Sequence, residues 1–320
     1  MLEDLITPER PLALVGCGRM GGAMLAGWRQ AGLTDRAVRV VTRPAPPGAA
    51  SVGGAALAGD ASSAGGASSA GGASLAGGAS LAGGAGDALA GVPVLAGAAA
   101  LAGQRPSLVV LAVKPQQLAD LGPDLAAALD ARVPVISVLA GVPLAGLAAA
   151  LGDRPLIRAM PNTPAAVGRG VTSMVANAAG APWLDRARTL LGVLGSVVVL
   201  DAEEQMDAAT ALAGSGPAYV FHLVEALAAA GVAEGLPEPT ARALARATVA
   251  GAGALLDADD RDAAALRQAV TSPGGTTQAG LDVLMRPAGL TTLMAETVHA
   301  ATARSRALGH ETAPERPSAD

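Results

Sequence analysis

The stretch LALVGCGRMGGAM, Leu12 to Met24, constrains the fold more than any other part of the chain. Four apolar residues of strand character run straight into Gly16, Gly18 and Gly21 in G-x-G-x-x-G spacing, and an apolar helical pattern follows. The strand–turn–helix context is what separates a phosphate-binding turn from a chance glycine match. In such a turn Gly16 permits the sharp change of direction, Gly18 lets a pyrophosphate approach the backbone, and Gly21 allows the helix to pack closely on the strand. Cys17, Arg19 and Met20 occupy the positions between them and belong to the same candidate cofactor turn.

From Pro11 to about Leu200, short β-branched runs alternate with helical stretches, as they do in a doubly wound, parallel α/β sheet. The runs are LALV at Leu12, VRVV at Val38, SLVVLAV at Ser107, PVISVLA at Pro134, LIRAM at Leu156 and SVVVL at Ser196. After about Glu203 the strands stop. Helical periodicity then covers Met206 to Gly235, Glu238 to Leu256, Ala263 to Val270 and Thr276 to Ala307. The reading is a Rossmann-like α/β domain over residues 1–203 and an all-helical domain over 204–308. The tail, 309–320, holds too little apolar surface to pack and is expected to be disordered. Residues 45–88 carry an imperfect repeat, GGASSAGGASLAGGASLAGG, with no large apolar side chains to stack into a solenoid. We read it as a flexible surface insertion in place of a helix between the second and third strands, and assign it no chemistry.

Composition narrows the partners. A net charge of −5 argues against a nucleic-acid partner, which normally leaves a basic patch. Hydrophobic residues make up 51% of the chain, but alanine inflates that figure. The nearest approach to a membrane span, Ala208 to Ala233, contains Ser215, Pro217, His222 and Glu225, and reads better as a buried helix than as a membrane segment. The N-terminal MLEDLITPERP lacks the basic-then-apolar order of a signal peptide, and a single cysteine, Cys17, suits a cytoplasmic protein. Aromatic residues are only 1% of the chain, so the core must come from Leu, Val, Ala and Met, and helices rich in small residues can approach closely in a bundle or dimer interface. The three histidines, His222, His299 and His310, are scattered, so neither a metal site nor a Ser-His-Asp arrangement is expected. The chemistry must then belong mostly to a cofactor.

Ligands of such sheets bind at the carboxyl ends of the strands. After the second strand, where an NAD site would hold Asp or Glu, stand Thr42 and Arg43, which suit a 2′-phosphate. NADPH is therefore favoured, with NADH the alternative. LAVKP brings Ala112, Val113, Lys114 and Pro115 to the next strand end, and Lys114 is the only lysine among 22 basic residues. SVLAGV contributes Ala140 and Gly141, and RAMPNTPAAVG contributes Asn162, whose amide can hydrogen bond a ligand. In the helical part, MDAATALAGSGPAYVF holds Thr210, Ser215 and a Gly-Ser-Gly-Pro element. Glycine and proline inside a helix cost about 1 and 3 kcal/mol, so close packing or a ligand lying over the glycines should offset them. VTSPGGTTQAG, Val270 to Gly280, reads first as Ser272 ending one helix and Thr276 or Thr277 capping the next. The same geometry, helix-start N–H groups beside two glycines, also makes a small anion site that a carboxylate would fit.

VGCGRMGGAM, LAVKPQ, IRAMPNTPAAVGRG, MDAATALAGSGPAYVF and LRQAVTSPGGTTQAGL, in that order from Leu12 to about Leu308, resemble the pyrroline-5-carboxylate reductase family. The resemblance implies hydride transfer from NAD(P)H to the C=N bond of L-1-pyrroline-5-carboxylate, giving L-proline in the final step of proline biosynthesis. It implies that the helical domain is a dimerisation domain similar to that of 6-phosphogluconate dehydrogenase, with a homodimer as the unit and five dimers assembling into a decamer. It further implies that Ser272 and the backbone around Gly275, Thr276 and Thr277 hold the substrate carboxylate, and that the catalytic Thr277 hydroxyl faces the ring nitrogen. Glu203 matches an acidic residue near the substrate, and Thr210 and Ser215 lie on the helix closing the pocket. One departure stands out: Gly97, Ala98 and Ala99 replace the asparagine that commonly reaches the adenosine side. Two rival readings fare worse. A 3-hydroxyacid dehydrogenase needs a lysine in the second domain, which this chain lacks, and a non-catalytic NADPH-binding regulator needs no TSPGGTT turn.

Overall fold

The computed structural model describes residues 5–43 and 89–311. The expectations for the insertion at 45–88, and for the tail from residue 312 on, lie outside the described residues.

One eight-stranded sheet carries the N-terminal part, with strands in the order β3-β2-β1-β4-β5-β6-β7-β8. They are β1 Leu12–Val15, β2 Val38–Thr42, β3 Val94–Ala96, β4 Leu108–Leu111, β5 Val135–Ser137, β6 Leu156–Met160, β7 Gly170–Ala176 and β8 Gly195–Val199. Strand β1 shows why the sheet is covered on both sides. Leu12 and Leu14 point into one core and Ala13 and Val15 into another, and all four are essentially inaccessible. Side chains alternate faces along a strand, so an all-apolar strand demands helices above and below. Helices α1 (Arg19–Gln30) and α4 (Leu184–Leu191) cover the first face through Met24, Leu25, Trp28, Leu190 and Leu191. Helices α2 (Leu118–Ala128) and α3 (Leu144–Leu151) cover the second through Leu118, Leu125, Leu147 and Leu151. Trp28 locks the first layer. It is fully buried, and its indole Nε1–H donates to the Leu190 carbonyl at 2.8 Å, joining α1 to α4.

Two strands escaped the sequence reading. β3 is three residues long and half open to solvent, too short for periodicity to register. β7 buries Thr172 and Ser173 inside a GVTSMVA segment whose polar residues mask its strand character. The sheet is parallel through β6, and β7 runs antiparallel to β6, with β8 parallel to it beyond. The link between β6 and β7 is a short loop with a 3₁₀ turn, Thr163–Val167, and so small a connection cannot make a parallel crossover.

Asp207–Arg306 forms a second compact unit, all helical. Helix α5 (Met206–Ala209) gives way to a π turn at Thr210–Gly214, closed by the Ser215 N–H donating to the Thr210 carbonyl at 3.0 Å. Helix α6 (Gly216–Ala233) then begins with Pro217 in its first turn. There the missing N–H has no intrahelical partner to lose, so the interior-proline penalty expected from the sequence does not arise. Helix α7 (Glu238–Ala258) folds back on α6, and α8 (Ala263–Ala269), α9 (Thr276–Leu284) and α10 (Leu290–Glu311) follow. The continuous helix expected over Thr276 to Ala307 is therefore two helices, separated where Pro287 cannot continue the hydrogen-bond ladder. Residues 309–311, expected in the tail, belong to α10, which runs to Glu311. Within this unit the Ser305 hydroxyl donates to the Asp207 carboxylate at 2.7 Å.

The sequence reading also made the apolar helix after Met206 a buried one, and in the single chain it is not. No residue of α6 is buried, and Phe221 is 62% exposed. Leu223, Leu227, Leu244, Leu255, Leu256, Val283 and Leu293 are exposed with it. The stretch Glu203–Ala233 is also long and apolar enough, by length and composition alone, to cross a membrane. The exposed apolar residues of these helices are the kind of surface that association with another molecule covers.

Replacing Trp28 by Phe keeps the buried ring but leaves the Leu190 carbonyl without its donor. The expected loss is about 1–3 kcal/mol of stability with the fold retained, read from urea unfolding at fixed protein concentration. A midpoint equal to that of the parent would show that the bond contributes nothing.

Candidate active site

The glycine turn is shaped by what surrounds it. Gly16 has φ +90°, and a Cβ there would lie 2.8 Å from both the Ala112 carbonyl oxygen and Val113 Cγ1, so the turn sits hard against the end of β4. Its N–H donates to Val41 O at 2.9 Å. A Cβ on Gly21 would collide with the Gly16 carbonyl, which is the close helix–strand packing expected of the third glycine. Gly18 differs, since a Cβ there meets nothing within 4 Å and would project into open space. It is the N-cap of α1, and no side chain caps that helix. An open helix start carrying partial positive charge beside a bare backbone is a seat for phosphate, so these residues fit a bound dinucleotide. Arg19 is exposed at the same turn and Met20 half-buried. Cys17 turns inward: it is 7% exposed within the first core, and burial pushes its thiol above the ordinary range, against a smaller opposing effect of Arg29. Only the backbone of Cys17 is available to a ligand.

The other strand ends line up beside this turn. The Thr42 carbonyl accepts from Gly97 N at 2.8 Å, Thr42 is half-buried, and Arg43 is exposed. Ala98 is buried, so the Gly97-Ala98-Ala99 turn offers backbone and no polar side chain. Ala112 is anchored through its N–H to Val15 O at 2.8 Å, Val113 and Pro115 are half-buried, and Lys114 is exposed with its N–H on Gln117 Oε1 at 3.1 Å. Ala140 is exposed and Gly141 half-buried in the turn between β5 and α3. Asn162 is 8% exposed, and its Oδ1 accepts from the Val171 N–H at 2.9 Å, tying the loop after β6 to β7.

Glu203 is bonded internally as well. Its Oε1 accepts from the Leu144 N–H at 2.7 Å and from Arg158 Nη1 at 2.9 Å. Arg158 was missed by the sequence reading. The signal was present, since LIRAM places a charge in the middle of an otherwise apolar strand, and a charge seldom stays buried without a partner.

In the helical unit the candidate residues lie on two elements. Thr210 opens the π turn and Ser215 ends it, both half-buried. The second element is the turn Ser272-Pro273-Gly274-Gly275, closed by Gly275 N–H to Ser272 O at 3.0 Å, with Gly274 at φ +70°. Proline second and a left-handed glycine third is the pattern of a type II turn. Gly275 then becomes the N-cap of α9 and offers no side-chain cap. Helix α8 shows the contrast, because the Asp262 carboxylate caps it by accepting from Ala265 N at 2.7 Å. The plain capping role read from Ser272, Thr276 and Thr277 is thus not what the structure has. Thr276 and Thr277 already lie inside the helix, and their hydroxyls and that of Ser272 take part in no hydrogen bond among the described residues. The first N–H groups of α9 are therefore without a side-chain cap, an arrangement able to receive an anion. No cluster of metal-ligating side chains occurs among the described residues.

Comparison with known proteins agrees with both halves. Residues 203–308 match the family model described as pyrroline-5-carboxylate reductase dimerisation, and residues 11–141 match one described as NADP oxidoreductase coenzyme F420-dependent. The pyrroline-5-carboxylate reductase of Synechocystis is 44% identical over 203 residues, covering 63% of this chain and 75% of that protein. The solved structure of a pyrroline-5-carboxylate reductase from Coxiella burnetii superposes with a TM-score of 0.75 at 29% identity, over 94% of this chain and 98% of that one. The Plasmodium falciparum pyrroline carboxylate reductase, solved with NADP bound, shares the fold with a TM-score of 0.66 at 22% identity, over 94% and 98%.

Two measurements check this geometry. Gly18→Val should weaken NADPH binding on the order of tenfold or more while leaving the unfolding midpoint nearly unchanged, because the added side chain fills only ligand space. Cys17 should resist a thiol reagent at pH 8 in the native protein and react at once after unfolding in urea. Fast native labelling would place the thiol at the surface.

Proposed function

The chain belongs to the pyrroline-5-carboxylate reductase family, and we propose that it carries out that reaction, reducing L-1-pyrroline-5-carboxylate to L-proline at the end of proline biosynthesis. The observation that carries the proposal is the Ser272–Thr277 turn. It is an uncapped helix start beside a glycine-containing turn and three free hydroxyls, on the same chain as a dinucleotide turn with open space at Gly18.

A nicotinamide cofactor, when bound, supplies the hydride that adds to the C=N carbon. The protein's part is to bind and orient. The Gly16–Gly21 turn and the start of α1 hold the pyrophosphate, and Ala112, Val113, Lys114, Pro115, Ala140 and Gly141 border the rest of the dinucleotide. Thr42 and Arg43 would take a 2′-phosphate, which makes NADPH the preferred donor and NADH the weaker one. Asn162 contributes through its place in the loop after β6. Ser272 and the N–H groups of Gly275, Thr276 and Thr277 hold the carboxylate of the substrate, which lies where the helix dipole favours a negative charge. The Thr277 hydroxyl stands at the ring nitrogen, and Thr210 and Ser215 on the π turn bound the ring. Protonation of the nitrogen makes the adjacent carbon a better hydride acceptor, so an iminium substrate needs no strong acid from the protein. Placement and preorganised dipoles then supply most of the acceleration.

The match of the helical part to a dimerisation family makes the protein a homo-oligomer, and the exposed apolar residues of α6, α7, α9 and α10 are the surface that association removes from water. A dimer is the unit we propose, with five dimers forming a decamer, and the cytoplasm as its compartment. Functionally, residues 1–203 serve the cofactor and 204–308 the substrate and the dimer.

Purified protein should oxidise NADPH on addition of pyrroline-5-carboxylate, and Thr277→Ala should lower kcat/KM on the order of 10²-fold. Full activity in that variant would remove Thr277 from the chemistry. Arg43→Ala should raise the KM for NADPH on the order of tenfold and leave that for NADH in place. Equal effects on the two cofactors would assign Arg43 no part in the selectivity.

A further inference from the structure

Arg158 is a charged residue in the middle of a buried strand, with 11% of its side chain exposed, and no part of the proposed mechanism uses it. It stands on β6 with Ser137 of β5 on one side and Val175 of β7 on the other. Its Nη1 donates to Glu203 Oε1 at 2.9 Å, and the same oxygen accepts from the Leu144 N–H at 2.7 Å. Glu203 is itself only 27% exposed. Leu144 is the first residue of α3, directly after the turn holding Ala140 and Gly141, and Pro143 before it provides no cap. One carboxylate oxygen from a segment far along the chain therefore supplies the missing cap of α3 and is held in place by a guanidinium on β6. The arrangement is half-buried, so each charge depends on the other. Removing one partner leaves an uncompensated charge out of water, which is far more disruptive than losing an exposed ion pair.

We propose that Arg158 and Glu203 act as a positioning pair for the cofactor, fixing the Ala140–Leu144 turn through the Leu144 N–H. On this account Glu203 is not a ligand of the substrate. Its Oε1 already serves two donors, and the negative charge is matched by Arg158, whereas a substrate carboxylate placed against it would be repelled. The inference rests on reading the strand ends as the nicotinamide site. It goes beyond that reading by assigning a role to Arg158 and by moving Glu203 from the substrate to the cofactor side.

The test uses the intact protein and two variants, Arg158→Met and Glu203→Gln, with the double variant. Each is measured for NADPH affinity by cofactor fluorescence and for the separate KM values of NADPH and pyrroline-5-carboxylate. The glutamine keeps an acceptor for the Leu144 N–H but loses the charge, so it remains informative if methionine at position 158 impairs folding. The expected result is a rise in the NADPH dissociation constant on the order of tenfold in either single variant, no further rise in the double variant, and an unchanged KM for the imine. Glu203→Gln raising the imine KM with NADPH affinity intact would overturn the proposal and make Glu203 a substrate ligand. Unchanged NADPH affinity in both single variants would overturn it as well. If the parent protein itself binds no NADPH, the failure lies with the cofactor site and takes this inference with it.

Discussion

Strand β1 is apolar on both faces, and the architecture of the N-terminal unit follows from that. Leu12 and Leu14 must be covered from one side and Ala13 and Val15 from the other, so helices lie above and below and the strand faces hold no ligand. What stays open is the edge where strands end and loops begin. The Gly16 turn, Thr42, the Ala112–Pro115 segment and the Ala140–Gly141 turn all lie along it. A site at the carboxyl ends of a doubly wound sheet is thus a consequence of burying the centre, and the glycines determine what can approach. Gly16 and Gly21 press against neighbouring backbone and serve packing, whereas Gly18 faces empty space, where the proposed dinucleotide would approach.

The helical unit obeys the opposite constraint. Its helices carry more apolar surface than one chain can cover, and a residue such as Phe221 is left largely in solvent. With 1% aromatic residues and alanine in abundance, each helix buries little area per residue and needs close partners on several sides. The match of residues 203–308 to the family model described as pyrroline-5-carboxylate reductase dimerisation makes this surface one that association of chains can cover. The turn before α9 is a local counterpart of the same economy. Pro273 and Gly274 set its shape, and no side chain caps the helix that follows, so its first N–H groups are without a side-chain cap, as the proposed carboxylate site requires.

Much of this was legible in the sequence, and the reasons for the exceptions are physical. Strands of four or five β-branched residues announced themselves, while β3 was too short and β7 too polar to do so. The glycine turn and the TSPGGTT turn were readable because backbone conformation there depends on glycine and proline. The π turn at Thr210–Gly214 was not, since it is set by one hydrogen bond slipping to a longer register within an apolar helix. Nor were the partners of Asn162 and Glu203. Both residues have the chemistry of a ligand, but their oxygens are claimed by Val171, Leu144 and Arg158, which are remote in sequence and meet them only after the sheet is assembled.

The measurement that bears most directly on the account is a crystal structure of the protein with oxidised cofactor and proline. The proline carboxylate is expected on the N–H groups of Thr276 and Thr277 beside the Ser272 hydroxyl, with the ring nitrogen at the Thr277 hydroxyl and a second chain covering Phe221 and Leu223. A carboxylate bound away from the Ser272–Thr277 turn, or a monomer with those apolar residues still in solvent, would contradict it.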